Sequence, residues 1–140
     1  MLHKRIVPAR LGLFFCYNRT MKPTKYTLED TRTIDLGTKV IHKYPTPTKD
    51  FDIGYMSVDG RHPQNLNGFI LESEYSFVMY ILLGSGTVYA GSERFNVKAK
   101  DVVLVPAKNK FAVEGKLEYI TFGVPAFVAE QSSEVIEKAS

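Results

Sequence analysis

The most regular pattern of apolar and polar positions runs from residue 80 to 115, YILLGSGTVYAGSERFNVKAKDVVLVPAKNKFAVEG. Apolar runs lie on either side of Gly84-Ser85-Gly86, and a second glycine turn falls at Ala90-Gly91-Ser92. Phe95, Val97 and Ala99 then alternate with polar neighbours, and Asp101-Val102-Val103-Leu104-Val105 stops at Pro106. Successive side chains of a strand point to opposite faces, so alternation marks a half-buried strand. Short strands punctuated by Gly and Pro at intervals of about eight to twelve residues predict an all-β, antiparallel sandwich or barrel.

The pattern continues upstream and downstream. Residues 38–44 alternate through Val40, His42 and Tyr44, and Pro45-Thr46-Pro47-Thr48 ends that strand. Residues 51–58 form another, with Phe51, Ile53 and Tyr55 on one face and Asp52, Gly54 and Met56 on the other. Residues 59–68 read as a ten-residue loop, placed where barrel loops commonly carry specificity. Residues 68–74 and 77–83 are strands. A final hairpin joins 111–114 to 117–124 through a Gly115-Lys116 turn, and residues 126–128 cap the barrel end. Residues 25–35 are polar and suit one helical turn or an extended arm, and 130–139 suit a weak polar helix or a frayed tail. The expected organisation is eight to ten strands in one barrel over residues 23–128, preceded by a leader (1–22) and followed by a polar tail (129–140).

Charge changes this picture in one respect. The net charge is +3, but residues 1–28 hold six basic side chains and no acid, which leaves the rest of the chain at −3. A mildly acidic domain lacks the basic surface that phosphate binding needs, so nucleic acid is not an expected partner. No apolar run approaches the ~20 residues of a membrane-spanning helix, and no membrane association is expected. Cys16 is the single cysteine, and it points to a reducing, cytoplasmic setting. The acid-free leader, with its apolar Leu11–Tyr17, is too short for a secretory core. It reads as an upstream extension before a start at Met21, as a mitochondrial presequence, or as an extra edge strand.

With YILLGSGTVYAG and KAKDVVLVPAKNKF in hand, the chain resembles a single-domain cupin over residues 37–127. The first segment is similar to that family's inter-motif hairpin. The second is similar to its second motif, with Pro106 in place and Lys100 standing where the motif has Gly. The resemblance implies a double-stranded β-helix, or jelly-roll barrel. It also implies where metal ligands would stand. The family's glutamate position falls on Phe77, its two histidine positions on Ile70 and Glu72 or on Leu71 and Ser73, and its last histidine on Phe111. Phenylalanine and aliphatic side chains donate nothing to a transition metal, so no metal and no other cofactor is expected.

The remaining chemistry is sparse. His62, beside Arg61 in the loop, could bind an anionic ligand or act with Asp59 as an acid–base pair, or it is simply solvated. His42 fits a strand position of no special role. Glu72 points into an apolar cavity with Phe77 and Phe111, where a carboxylate needs a partner, or a one-residue bulge turns it outward. Tyr55, Tyr80 and Tyr119 are further pocket candidates, although aromatic residues in small barrels mostly pack. Two functions follow from this set. One is a metal-free, small-molecule-binding barrel, non-catalytic or of unknown activity and homodimeric through an edge strand. The other is a metal-independent isomerase or epimerase for a sugar or other small polar substrate, of the kind the resemblance includes. The polarity of the pocket separates them.

Overall fold

The computed structural model describes residues 21–138. The expectations for residues 1–20 fall outside these. The described chain forms nine antiparallel strands, β1 (Arg32–Asp35), β2 (Lys39–Lys43), β3 (Asp52–His62), β4 (Gly68–Glu72), β5 (Ser76–Ala90), β6 (Glu93–Lys98), β7 (Val102–Val105), β8 (Lys110–Val124) and β9 (Ser132–Ile136). Single 3-10 turns at Leu28–Asp30 and Ala129–Gln131 precede β1 and β9. No helix among the described residues is long and apolar enough to cross a membrane.

β8 is the spine. Along one edge it pairs with β5 from Ser76↔Val124 to Ala90↔Phe111. Along the other it pairs with β3, from Asp52↔Gly123 to His62↔Val113, and then with β4 at Ile70↔Phe111. β2 and β1 extend the sheet beyond β3, and β9 extends it beyond β4. β7 and β6 pair with the first and second halves of β5. The outcome is an antiparallel barrel, as the alternation predicted, in the jelly-roll form that the resemblance implied.

Two expected turns are not turns. Gly84-Ser85-Gly86 and Gly115-Lys116 sit inside β5 and β8, and Gly86 pairs with Gly115 where the two long strands pass. A Cβ at Gly84 would lie 2.1 Å from the Lys116 carbonyl oxygen, and one at Gly86 would lie 2.2 Å from that of Glu114. Glycine is needed here for backbone approach rather than for chain reversal, and the final hairpin becomes one continuous strand. Three further boundaries differ from expectation. β3 runs on to His62, which shortens the irregular loop to residues 63–67. Residues 132–136, expected as tail, are drawn into the sheet by pairing with β4. The buried face of β3 carries Asp52, Gly54, Met56 and Val58, and the more apolar-looking Ile53 and Tyr55 face out.

Met79, Ile81, Val88, Val105, Val113 and Tyr119 are fully buried at the barrel centre. Fixed pairing also aligns two apolar rows on the outer surface. Leu104, Val78, Phe122 and Ile53 follow one another across β7, β5, β8 and β3, and Val102, Tyr80, Ile120 and Tyr55 form the row beside them.

Candidate functional site

The interior of the barrel holds a cavity of about 360 Å³. Its walls are aromatic. Phe77 and Phe111 meet edge to face with ring centroids 5.2 Å apart, and Tyr75 stacks on Phe77 at 5.6 Å and meets Phe127 edge-on at 5.4 Å. β2 delivers Lys39, Ile41 and Lys43 to the cavity, because its odd positions face the barrel axis.

Asp52 organises one end. Its carboxylate is buried and accepts hydrogen bonds from the Lys43 ammonium (2.5 Å), the Tyr75 hydroxyl (2.6 Å) and the Phe127 amide (2.9 Å). Burial, and then the bond to Asp52, push the Tyr75 hydroxyl well above the usual phenol range, so it stays a donor. Glu72 faces the cavity as well. Its carboxylate accepts from the Gln131 side-chain amide at 2.8 Å, and the Gln131 carbonyl oxygen accepts from the amides of Glu74 (3.0 Å) and Tyr75 (3.1 Å). The alternative of an outward Glu72 is thereby excluded, with no bulge in β4.

Lys39 is the unusual group. It is 8% exposed, and its ammonium makes no hydrogen bond or ion pair to any described residue. It lies 5.6 Å from the ring centroid of Phe111 and 5.8 Å from that of Tyr119. Burial lowers its pKa to about 8, against the opposing pull of Glu72's negative charge. His62 lines the same cavity. Burial first, and the positive charges of Lys39 and Arg61 after it, lower its pKa to about 4, which leaves a neutral imidazole at pH 7. Tyr119 completes the group with a buried hydroxyl that has no hydrogen-bond partner among the described residues.

The barrel therefore brings His62, Glu72, Phe77, Phe111 and Tyr119 together. It does not bring in the other three candidates. Tyr55 lies on the outer face, stacked on His42 at 5.6 Å with its hydroxyl bonded to Glu118. Tyr80 is on the outer face of β5 and 41% exposed. Arg61 points away from the cavity and pins residues 63–68, donating to the carbonyls of Pro63 (2.7 Å), Asn65 (2.6 Å) and Gly68 (3.1 Å) while lying over the Phe69 and Tyr89 rings. A pairing of His62 with Asp59 fails because Asp59 is exposed and does not line the cavity. Sequence reasoning missed Lys39, Lys43, Asp52 and Tyr75. The available signal was the odd face of KVIHK, which places two lysines on either side of Ile41.

A broader groove of about 470 Å³ crosses the outer surface where Gly84 meets Lys116. Of its charged residues Asp59 and Lys116 are exposed and Glu118 is bonded to Tyr55, whereas the interior cavity holds buried Lys39 and half-buried His62 with lowered pKa values. The titratable groups with lowered pKa values belong to the interior.

No protein-family model matches the chain, and no curated protein matches it. Solved structures do. Streptomyces PAC13 bound to uridine, in a variant with a tyrosine replaced by phenylalanine, superposes with a TM-score of 0.74 at 22% identity, covering 85% of this chain and 95% of that one. A further structure of the same protein is described as that of a unique nucleoside dehydratase. An RmlC-like cupin from Shewanella frigidimarina matches with a TM-score of 0.62 at 16% identity over 75% of this chain and 93% of that one. Ectoine synthase from P. lautus matches at 0.64 with 12% identity, over 84% and 94%.

The chain has the cupin fold.

Cupin motif positions can accordingly be set on the structure. Phe77, Phe111, Ile70 and Glu72 all line the one cavity, as the motif register requires. Of these only Glu72 offers a donor, and among the described residues no group of three or more His, Cys, Asp or Glu side chains could hold a metal ion. These residues do not fit a metal. What the cupin cavity does hold is a cation (Lys39), a neutral imidazole (His62) and a carboxylate (Glu72) within aromatic walls, which is a set able to donate and accept protons out of water.

Proposed function

We propose that this protein is a metal-independent enzyme that binds a small sugar-like or nucleoside-like molecule in the barrel and moves protons on it. The observation that carries this reading is the convergence of Lys39, His62 and Glu72 on one cavity. A pocket for purely apolar ligands needs few polar groups. A buried, unpaired ammonium destabilises its own fold, and a ligand oxygen or charge is the natural partner for it. The size of the cavity suits a ligand of one or two rings. Similarity to a nucleoside dehydratase with uridine bound supports the substrate class. In this reading His62 and Glu72 accept protons, Lys39 faces the developing negative charge, and Phe77 and Phe111 exclude water and stack against a ring.

The test is ligand-observed NMR with uridine and a panel of monosaccharides and sugar acids in deuterium oxide. Binding and exchange of a substrate C–H are expected, unchanged by EDTA and lost in Lys39→Met and His62→Gln. Binding without exchange or product would return the protein to a non-catalytic carrier. Loss of activity on chelation would overturn the metal-independent reading.

The outer face supports a second copy of this chain as partner. Tyr80 (41% exposed), Phe122 (43%), Val102 (60%) and Leu104 (61%) stand in two adjoining rows with no charged side chain between them. Such a patch reaches several hundred Å², the upper range for a free monomer surface and a large share of the ~800 Å² that each partner gives a stable interface. Light scattering at micromolar concentration is expected to give a dimer mass. The pair Leu104→Lys and Phe122→Lys should give a folded monomer. A monomeric wild-type chain would overturn this interface.

A further inference from the structure

Lys39 differs from the other described lysines in the kind of surroundings it has. Lys43 is paired with Asp52, Lys98 with Asp101 and Lys110 with Glu137. Lys39 alone is buried in the cavity over aromatic faces, with no ion pair to any described residue and Glu72 acting on it only through space. Taking up the proposed cavity enzyme and resting on that reading, we propose that Lys39 is a covalent catalytic residue, whose Nζ condenses with an aldehyde or ketone carbon of the substrate to form an iminium.

The geometry suits each stage. The uncharged amine attacks the carbonyl carbon. A C–N bond forms, the C=O π bond breaks and its oxygen takes up a proton, giving a carbinolamine. Loss of that oxygen as water, with the nitrogen lone pair forming C=N, leaves an iminium. No oxidant or reductant is consumed. The positive charge then sits where the ammonium sits now, over the faces of Phe111 and Tyr119, which favour a cation there. Desolvation favours the uncharged amine that must attack. An iminium draws electron density from the adjacent carbon, so its C–H becomes acidic. Glu72, oriented by Gln131, and neutral His62 line the same cavity and are placed to accept that proton. A hydroxyl one carbon further on could then leave as water, and hydrolysis of the iminium would release the product and restore Lys39.

This assignment also accounts for the lack of an ion pair to Lys39 among the described residues. A lysine that served only as a point charge for a structural pair would have its carboxylate in the protein, as Lys43 has Asp52 at 2.5 Å. A lysine that must be free to react cannot be held that way.

The experiment is reductive trapping. The full-length protein is incubated at pH 7 with glycolaldehyde and cyanoborohydride, and adducts are located by intact mass and peptide mapping. An amine with a pKa near 8 is on the order of a hundred times more often uncharged at pH 7 than an ordinary lysine. Lys39 is therefore expected to be modified first, by about tenfold or more over any other lysine once its lower intrinsic nucleophilicity is allowed for. Lys39→Arg should remove that fast adduct and leave the slow background. Labelling of all lysines in proportion to exposure, with Lys39 lagging, would overturn the proposal. Uridine binding measured on the same samples separates the two claims. Binding that persists with no Lys39 adduct sinks the covalent role alone, whereas absence of both sinks the cavity reading with it.

Discussion

Lys39→Met is expected to make the protein more stable while abolishing the proposed activity. The sign follows from the direction of the pKa change. Lys39 falls from 10.5 to about 8 on folding, so between those values the unfolded chain holds a proton that the folded chain has lost, and stability rises with pH across that window. Below pH 8 the folded state carries the whole penalty, roughly 3 kcal/mol at 1.4 kcal/mol per pH unit. Methionine fills similar volume without the charge. The gain at pH 7 should be somewhat smaller, about 2 kcal/mol, because the ring contacts of the ammonium with Phe111 and Tyr119 go as well. For a domain of this size that amounts to several degrees in Tm. Thermal melts of both proteins from pH 6 to 10 provide the check. The difference should be largest near neutrality and close as pH rises toward 10. A variant less stable than wild type at pH 7, with a constant gap, would show that the ammonium is satisfied in the folded state.

Asp52→Ala is expected to be the opposite case, severe for stability at every pH near neutrality. Asp52 is 6% exposed and holds three donors from three parts of the chain, Lys43 on β2, Tyr75 before β5 and the Phe127 amide after β8. Its removal leaves a partly buried ammonium and a buried hydroxyl without acceptors. Breaking one partner of such a pair costs about 3–5 kcal/mol, which is a large part of a typical domain's stability. Asp52→Asn keeps one acceptor oxygen and should lose less. Urea denaturation ranks the three proteins, with the expected order wild type, Asn, Ala. Equal midpoints for wild type and Ala would mean that water replaces the carboxylate and that this end of the barrel is open.

The strand positions and the barrel were legible because glycine, proline and period-two alternation report local geometry. The motif register was legible in part, since it set Phe77 and Phe111 at ligand positions but left Glu72 to point inward or outward. Which face of a strand turns inward was harder. In FDIGYMSV the face bearing Phe51, Ile53 and Tyr55 is the more apolar, yet Asp52, Gly54 and Met56 face the axis. Only long-range facts explain this. Asp52 has three donors waiting, and the outer face is covered by its own row of apolar neighbours. KVIHK misleads in the same way, because its two lysines look like solvent positions until β3 fixes Ile41 against Met56. Local rules fail most clearly at the groups proposed for chemistry, as expected where function opposes folding. Glycines 84, 86 and 115 misled for a different reason. A residue suited to a turn is equally suited to close strand passage, and only pairing tells the two apart. The polar SSEVI of β9 carries no apolar run of its own, and becomes a strand because β4 has an unpaired edge.

That last strand is tied to the cavity carboxylate Glu72. Gln131 lies one residue before β9, and its side chain positions Glu72 while securing the amides of Glu74 and Tyr75. Its backbone carbonyl also accepts from Ser73. Material fused after residue 138, or a protease cut within 132–136, would therefore act on the Glu72 carboxylate through a single glutamine. For anyone building variants of this barrel, strand β9 is best handled as part of the cavity wall that it supports.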